Sequence, residues 1–426
     1  MRANWSPEEV HEKRTRMRDL TASPGSPGWR TPLVVLAGGC AISLVGMGSR
    51  SAFGLFLEPM TVAHGWSRES YALAIAIQNL LWGATMPFAG GIADRYGPVR
   101  VLMAGALVTA AGIWGMASAE STGMLYLTGG VMTGLGGAFT AFSLAVAAMI
   151  RVVGPERRSL VIGLGMAAGS LGMVIFSPIT QALITNLGWH DALVGLAVIS
   201  IVIVPLALLL PNNPDGGVAA SVPGQTVVGA VREAARHRGY VLLTTGFFVC
   251  GFHVTFISVH FPAYISDLGL NPNVAAWSLA LIGLFNIGGS FMSGFAGQRW
   301  SKKAGLSCIY TGRAIAIVAL LLLPKTEMNM YVFAGAMGLL WLSTVPLTTG
   351  IVAQVFGVRY FATLSGIVFF SHQVGSFLGA WLGGVVYDRT GSYDGMWIAG
   401  IVLGVAAALI HLPINESPLA RLRDVA

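Results

Sequence analysis

Apolar stretches of about 20 residues alternate with short polar segments along most of the chain. As a helix, a stretch of this length crosses the roughly 30 Å hydrocarbon core of a bilayer, and a helix satisfies its own backbone hydrogen bonds where no water is present. The pattern therefore predicts an all-α membrane protein with twelve transmembrane helices. We place these spans at residues 31–58, 70–92, 99–118, 122–149, 160–185, 191–211, 240–263, 275–297, 305–324, 330–355, 363–387 and 393–413.

A long polar segment separates the sixth predicted span from the seventh. It divides the chain into two groups of six helices joined by a linker that ends in a basic amphipathic helix. The predicted parts are an N-terminal tail at 1–30, a first half at 31–211, the linker at 212–238, a second half at 239–416 and a C-terminal tail at 417–426.

The two predicted halves match each other at a spacing of 203 residues. Pro59 then coincides with Pro262, and Gly188 with Gly391. Three more glycine pairs coincide at this spacing, namely Gly154 with Gly357, Gly163 with Gly366 and Gly172 with Gly375. One coincidence means little in a chain with 56 glycines, but five at one spacing indicate an internal repeat. We therefore expect two pseudo-symmetric six-helix halves.

The composition agrees with a membrane protein, because 54% of the residues are hydrophobic and 10% are charged. A net charge of +7 is also compatible with a nucleic-acid partner. If the N-terminus is cytoplasmic, however, 20 of the 25 Lys and Arg residues fall in cytoplasmic segments and three on the other side. Basic residues concentrate on the cytoplasmic side of membrane proteins. The charge therefore predicts that both termini are cytoplasmic, and it gives no support to a nucleic-acid partner.

Two arginines, Arg50 and Arg313, lie deep inside predicted spans, and no Asp or Glu lies at comparable depth. A charged side chain at the centre of a membrane helix costs roughly 2.5–3.5 kcal/mol on insertion scales, and arginine does not lose its proton. The missing negative charge is then supplied by the substrate. We predict that Arg50 binds an anionic substrate, whereas Arg313 either contacts the substrate or pairs with helix-end carbonyls.

The sequence offers no pattern typical of an enzyme. It lacks a glycine-rich phosphate loop that ends in Lys-Ser or Lys-Thr, and it lacks a nucleophile next to a base. It also lacks a His, Cys and acidic cluster with metal-ligand spacing. Cys40, Cys250 and Cys308 lie in separate apolar stretches, and we interpret them as small packing residues. We therefore expect no cofactor and no metal.

The loop after the second predicted span reads Gly90-Gly-Ile-Ala-Asp94-Arg95-Tyr-Gly97-Pro-Val-Arg100. This order of a glycine, an Asp-Arg pair, a second glycine and a further basic residue resembles the loop signature of the major facilitator superfamily. The resemblance implies that superfamily's twelve-helix fold and a gating role for Asp94, Arg95 and Arg100. In that role Asp94 pairs with Arg95, Arg100 or a facing helix end; the alternative is a loop that only fixes membrane orientation.

The end of the first predicted span resembles the monocarboxylate transporter group of this superfamily. It reads Arg50-Ser-Ala-Phe-Gly-Leu-Phe-Leu-Glu-Pro59 and is followed by Gly-Trp-Ser-Arg68. In that group a cationic residue at the position of Arg50 contacts the substrate carboxylate, which implies the same role here. Animal members also carry an Asp and an Arg four residues apart on span 8, whereas this chain has Asn286 and Ser290 there and lacks that pair.

Other polar side chains at membrane depth are candidates for substrate binding or proton transfer. The resemblance implies that spans 1 and 7 line a central cavity, which places His253 opposite Arg50. His253 and His260 are seven residues apart and share a helix face, and histidine is suited to carrying a proton. The further substrate-site candidates are Gln78, Asn79, Asn286, His372 and Gln373. Each of these forms hydrogen bonds between helices equally well, and we interpret Trp82 as a packing residue.

These features predict a secondary transporter of a small organic anion, a monocarboxylate such as lactate or pyruvate. The carboxylate is expected to bind Arg50 near the membrane midplane while the two halves rock about it, and a proton is expected to travel with it. Two alternatives stay open, namely exchange of organic anions without a proton and export of lipophilic drugs. We expect a monomer in a bacterial inner membrane whose partners are the lipid bilayer, a small carboxylate and a candidate proton.

Overall fold

The computed structural model describes residues 30–153, 158–212, 226–357 and 359–423, and within these ranges every regular element is a helix. Twelve helical spans in this part of the chain are long and apolar enough to cross a membrane, which confirms the predicted number. In chain order the spans are Pro32–His64, Arg68–Tyr96, Pro98–Ala117, Thr122–Val153, Leu160–Leu187, Trp189–Ala207, Arg238–Asp267, Pro272–Arg299, Lys302–Leu322, Glu327–Phe356, Phe361–Thr390 and Asp394–His411. Most of the predicted N-terminal tail and part of the linker lie outside the described residues.

Consecutive spans run in opposite directions, so their ends form two sides of the molecule. We call the side that holds Arg30, Asp94 and His411 the terminal side, because both ends of the helical bundle lie there. We call the opposite side, which holds Arg68 and Asp267, the distal side. Between spans 6 and 7 a further helix at residues Val227–Arg236 lies on the terminal side.

Glycines end several spans because their backbone turns into the left-handed region, which other residues adopt only with strain. Gly188 and Gly391, which follow spans 5 and 11, have φ values of 88° and 70°. These two glycines are one of the pairs that coincide at the spacing of 203 residues. The repeat is therefore visible in the backbone, and the prediction of two pseudo-symmetric halves agrees with it.

Span 1 is interrupted directly after Arg50. Its first helix, Pro32–Ser51, is followed by a 3-10 turn at Phe53–Phe56 and by a second helix at Leu57–His64. Backbone groups at a helix end lack intrahelical partners. The interruption therefore places polar backbone beside Arg50 at membrane depth, which transporters tolerate where the backbone lines a cavity.

Spans 4 and 10 are interrupted at matching positions. Span 4 breaks at Thr140, and span 10 breaks just before Thr344, at Ser343. Thr140 and Ser343 are 203 residues apart, so the same interruption recurs in both halves. The segments are Thr122–Leu125, the π-helical Tyr126–Met132, Thr133–Phe139 and Phe142–Val153 in span 4, and Glu327–Leu340 and Thr344–Phe356 in span 10.

The two halves contact each other where small residues allow backbones to approach closely. A Cβ atom at Gly54 of span 1 would lie 2.0 Å from the carbonyl oxygen of Ser258 in span 7. One at Gly283 of span 8 would lie 2.8 Å from the carbonyl oxygen of Ser170 in span 5. Span 2 also packs along span 11. Such packing through small residues is typical of helix association in lipid, and it brings the walls of the candidate site together.

Candidate functional site

Arg50 lies in the last turn of the first helix of span 1 and is half-buried. Its Nη2 atom donates a hydrogen bond of 2.6 Å to Oδ1 of Asn79 on span 2. Asn79 is held in this orientation because its Nδ2 atom donates to the carbonyl of Ile75 at 2.8 Å. Within the described residues, no carboxylate forms an ion pair with Arg50. The guanidinium therefore keeps donor capacity for an anion.

An aromatic wall lies against the same guanidinium. The Arg50 Cζ atom is 3.8 Å from the ring centre of Trp82, a cation–π distance. The Trp82 ring meets Phe369 of span 11 edge-on, with 5.4 Å between ring centres. Its Nε1 atom is buried without a hydrogen-bond partner. The interpretation of Trp82 as a packing residue is therefore incomplete, because it contacts the central cation and presents an unused donor.

Span 11 joins the site from the second half through Gln373. Its Nε2 atom donates to the carbonyl of Asn79 at 3.1 Å, and its Oε1 atom accepts a hydrogen bond of 3.0 Å from Nδ1 of His372. Gln373 packs on Gly83, where a Cβ atom would lie 2.5 Å from the Gln373 Cγ atom. The predicted residues Arg50, Asn79, Gln373 and His372 thus form one hydrogen-bonded chain across the two halves.

Gln78 lies one residue away from this chain but faces a different neighbour. It is buried where span 2 meets span 4, and its backbone lies against Gly134. Its described contacts are with span 4 rather than with Arg50. Gln78 therefore stays a substrate-site prediction that the described contacts do not support.

His253 does not take the expected position opposite Arg50. Its ring is buried between spans 7 and 12, and its Nε2 atom donates to the carbonyl of Gly400 at 2.8 Å. A Cβ atom at Gly404 would lie 3.4 Å from the same ring. The reason is rotational: the spacing of 203 residues matches depth in spans 1 and 7 but does not fix which side of the helix faces the cavity.

His260 lies near the distal side, with both ring nitrogens engaged. Its Nε2 atom donates to the carbonyl of Ala380 at 2.7 Å, and its Nδ1 atom is 3.1 Å from the hydroxyl of Tyr393. The side chain is fully buried. His260 thus joins spans 7, 11 and 12, and its contacts are separate from those of Arg50.

Arg313 takes the helix-end role that the sequence left open. It is fully buried, and its Nη2 atom donates to the carbonyls of Leu340, at 2.8 Å, and Trp341, where the first helix of span 10 ends. Asn286 of span 8 also binds the backbone at this break in span 10, because its Oδ1 atom accepts a hydrogen bond of 2.9 Å from the Leu342 N–H. These contacts place both residues at the break of span 10 rather than beside Arg50.

Asn286 also connects the two halves. Its Nδ2 atom donates to Oγ of Ser170 on span 5 at 2.9 Å. The interruption of span 10 is therefore linked to the first half through one side chain. Asn286 stays a substrate-site prediction, and the contacts that it makes are structural.

The aspartate of the loop signature lies near a facing helix end rather than near Arg95 or Arg100. Asp94 lies 3.9 Å from Nη2 of Arg151 at the end of span 4, whereas Arg95 lies over the ring of Tyr96 and Arg100 is exposed. Asp94 and Arg151 both belong to the first half. The gating role of Asp94, Arg95 and Arg100 stays a prediction, because an ion pair within one half does not test it.

Sequence reasoning missed a group of charged residues on the distal side, because it read Arg68 as part of a family motif and assigned it no partner. Arg68 forms a two-pronged ion pair with Asp267, at 2.7 Å from Nη1 and 2.6 Å from Nη2. The backbone N–H groups of Arg68 and Glu69 donate to the carboxylate of Asp388. We call Arg68, Glu69, Asp267 and Asp388 the distal clamp. In the sequence, each of these four charged residues lies at the end of a span next to a turn, and this shared position could have indicated that they meet.

The distal clamp joins span 2 of the first half to spans 7 and 11 of the second. The buried Phe53 and Phe56 of the span 1 interruption lie between the clamp and Arg50. The clamp therefore holds the two halves together on the distal side in this conformation.

The fold and this site define a class of protein: two pseudo-symmetric bundles of six membrane helices around a central cation. The family model described as Major Facilitator Superfamily matches residues 38–341 and 243–425. The chain belongs to this superfamily. Its members are transporters rather than enzymes, so the chain is a multi-pass membrane transporter.

The chain is also similar to individual transporters. The chain is 28% identical to "Monocarboxylate transporter 13" of Bos taurus over 376 residues, which cover 87% of this chain and 85% of the relative. It is 24% identical to "Uncharacterized MFS-type transporter YcxA" of Bacillus subtilis (strain 168) over 386 residues, covering 88% and 94%. Among solved structures, a bacterial homolog of the human lysosomal transporter Spinster, in an inward-facing and occupied conformation, gives a TM-score of 0.71. That structure is 15% identical and covers 91% of this chain and 97% of its own, and it bears on the fold alone.

Proposed function

We propose that this transporter carries a small organic anion, a monocarboxylate of the lactate or pyruvate type, whose carboxylate binds Arg50. The observation that carries the proposal is a guanidinium at membrane depth with no carboxylate partner among the described residues. Guanidinium groups bind carboxylates through strong, charge-assisted hydrogen bonds. The similarity to proteins named monocarboxylate transporters supports the same substrate class.

The surroundings of Arg50 favour a small substrate. On one side Gly137 of span 4 has no side chain, and even a Cβ atom there would stay 3.9 Å from the Arg50 Nη1 atom. On the other side the Trp82 Nε1 donor is unpartnered. One carboxylate oxygen is proposed to bind the guanidinium and the other to accept from Trp82. Asn79 and Gln373 then limit the space left for the rest of the substrate.

Transport is proposed to follow alternating access, with the two halves rocking about the bound anion. The basic residues support a cytoplasmic terminal side, and we propose that the transporter opens to the cytoplasm while the distal clamp is closed. The Gln373–Asn79 hydrogen bond crosses the halves beside Arg50. Binding at Arg50 neutralises its charge and so lowers the energy of a closed cavity.

Proton-linked transport is the proposed mode, and exchange of organic anions without a proton is its alternative. The support for a proton is that a histidine, His372, belongs to the hydrogen-bonded chain that reaches Arg50. Exchange remains the expected outcome if a proton gradient fails to drive accumulation.

Equilibrium binding tests the substrate class. Titration calorimetry of purified protein with lactate is expected to show saturable binding, and lactamide, which lacks the charge, is expected not to bind. Arg50→Gln is expected to weaken lactate binding by about 2–5 kcal/mol, the loss typical of one partner of a buried charge pair. The proposal would be refuted if wild type bound lactate and lactamide equally well. It would also be refuted if wild type and Arg50→Gln bound lactate equally well.

A further inference from the structure

The interruption of span 4 leaves one backbone acceptor unused. Thr140 is buried, and both its N–H and its hydroxyl donate to the carbonyl of Gly136, at 2.9 and 3.0 Å. Its own carbonyl oxygen accepts no hydrogen bond from the described residues, because the next helix begins at Phe142 and the Leu144 N–H donates to Ala141 instead. Buried backbone carbonyls in proteins are normally paired with protein groups or with ordered water. The Thr140 carbonyl is therefore an acceptor that is open to a ligand.

The matching break of span 10 has no such open acceptor at the equivalent position. There the carbonyl of Ser343 accepts a hydrogen bond from the hydroxyl of Ser293 on span 8. Arg313 and Asn286 bind other backbone groups of the same break. The residues that precede these three side chains by 203 positions carry no side-chain donor, and they are Gly90, Ala110 and Gly83. The second half thus satisfies its break with its own side chains, whereas the first half does not.

The Thr140 carbonyl faces a gap between spans 1 and 4. A Cβ atom at Gly46 of span 1 would lie 3.8 Å from the Thr140 oxygen, and no other contact within 4 Å is found for it among the described residues. By contrast, a Cβ atom at Gly48 would lie 2.6 Å from the Phe176 ring, so that glycine permits close packing. Packing therefore does not explain the missing side chain at Gly46.

The same gap continues to the guanidinium of Arg50. Gly46 and Arg50 are four residues apart and so lie on one face of span 1. Across the gap on span 4, Gly137 lies opposite Arg50, with 3.9 Å between its ideal Cβ position and Nη1, and Thr140 lies opposite Gly46. The guanidinium and the Thr140 carbonyl are therefore offset by about one helical turn, roughly 5.4 Å.

A strong donor and an acceptor at this spacing suit a small acid with a hydroxyl group beside its carboxylate. A carboxylate oxygen on the guanidinium and a hydroxyl oxygen on the carbonyl would each lie about 2.9 Å from their protein partner. Both oxygens can then lie in the gap as near neighbours, as they do when adjacent carbon atoms carry them. A 2-oxo acid and an unsubstituted fatty acid have no hydrogen to donate to the carbonyl.

We propose that the Thr140 carbonyl binds the 2-hydroxyl group of the transported acid, so that the transporter selects 2-hydroxy monocarboxylates over 2-oxo and unsubstituted ones. The proposal rests on the proposed function, because the carboxylate must bind Arg50. A site that binds a substrate hydroxyl rejects analogues that lack it, since its own polar group then stays unpaired. Gly46 determines this specificity because its missing side chain leaves room for the hydroxyl beside the carbonyl.

Three acids test the recognition of the hydroxyl in wild-type protein. Isobutyrate has the shape of lactate with a methyl group in place of the hydroxyl, and propionate has only a hydrogen atom there. Titration calorimetry is expected to show that lactate binds about tenfold more tightly than either, the affinity that one neutral hydrogen bond supplies. Isobutyrate binding as tight as that of lactate would overturn the proposal.

Gly46→Ala tests where the hydroxyl is recognised. Its methyl group is expected to fill the space beside the Thr140 oxygen and to lower lactate affinity about tenfold, while propionate keeps its wild-type affinity. The control Gly195→Ala on span 6 also gains a methyl group with one neighbour at 3.8 Å, Cδ1 of Leu183, and is expected to bind all three acids like wild type. Wild-type lactate affinity in Gly46→Ala, or equal losses for lactate and propionate, would contradict the proposal.

The outcomes separate hydroxyl recognition from carboxylate binding at Arg50. If the three acids bind equally well to wild type and all lose affinity in Arg50→Gln, the carboxylate site is supported and the recognition of the hydroxyl is refuted. If wild type binds none of them, the carboxylate substrate is refuted, and the recognition of its hydroxyl with it.

Discussion

Arg50 and Arg313 are the same residue type at similar depth, yet their neighbours give them different roles. Arg313 is fully buried, and its Nη2 and Nε atoms donate hydrogen bonds to carbonyls where the first helix of span 10 ends. Arg50 is half-buried and makes one side-chain hydrogen bond, to Asn79, among the described contacts. One arginine completes the fold and the other is available to a ligand.

This difference predicts opposite effects on stability. Arg313→Gln is expected to destabilise the protein by about 1–3 kcal/mol, because the carbonyls of Leu340 and Trp341 lose their charged donor. Arg50→Gln is expected not to lower stability, since it removes a desolvated charge that has no counter-ion. Thermal unfolding of the purified variants measures both, and a larger loss in Arg50→Gln than in Arg313→Gln would contradict the assignment.

The sequence predicts the depth of these residues but not the direction in which their side chains point. The role of Arg50 stays a prediction, and it rests on the absence of an Asp or Glu at comparable depth in the predicted spans. The position of the His253 ring could not be predicted, because packing sets the rotation of span 7 about its axis. This rotation turns the ring toward Gly400. The partner of Asp94 depends in the same way on how span 4 ends near Arg151.

At the scale of elements, the interruptions of spans 1, 4 and 10 shape the centre of the bundle. The hydrophobic pattern predicted all twelve spans but none of these breaks, because an interrupted span remains apolar throughout. Two of the breaks lie at Thr140 and Ser343, which are separated by the repeat spacing of 203 residues. The sequence did not predict these breaks, because a Thr or Ser hydroxyl in an uninterrupted membrane helix can also bond to its own backbone.

The break in span 10 predicts a role for Asn286. Asn286→Ala is expected to destabilise the protein by about 1–3 kcal/mol, because the partly buried Leu342 N–H loses its acceptor and the Ser170 hydroxyl keeps only its bond to Met166. Ser290→Ala, one turn away, is expected to have a much smaller effect because its hydroxyl bonds only to Asn286 among its described contacts. Chemical unfolding monitored by tryptophan fluorescence compares the two, and equal losses would argue against this role.

At the scale of the whole molecule, the two halves meet most tightly on the distal side. The distal clamp joins three spans there through the Arg68–Asp267 pair and the Asp388 carboxylate. Sequence reasoning could not assemble the clamp, because its members are up to 320 residues apart. Each is an ordinary charged residue at a helix end until the fold brings them together.

The clamp predicts how the closed conformation is held. Arg68→Gln is expected to favour opening by about 1 kcal/mol, which is about a fivefold increase in access from the distal side. Labelling of Ser258→Cys by a membrane-impermeant maleimide reports that access, because Ser258 packs on Gly54 when the distal side is closed. Arg389→Gln, an exposed change on the same side, serves as control, and equal labelling rates in the two variants would contradict the role of the clamp.

The most direct test of the account is counterflow of labelled lactate and pyruvate in proteoliposomes that contain wild type, Arg50→Gln or Arg389→Gln protein. We expect saturable counterflow in wild type and Arg389→Gln, and a loss of about 30-fold or more in Arg50→Gln, because the carboxylate loses its charged partner. Counterflow that persists unchanged in Arg50→Gln would contradict the central claim that this arginine binds the transported anion.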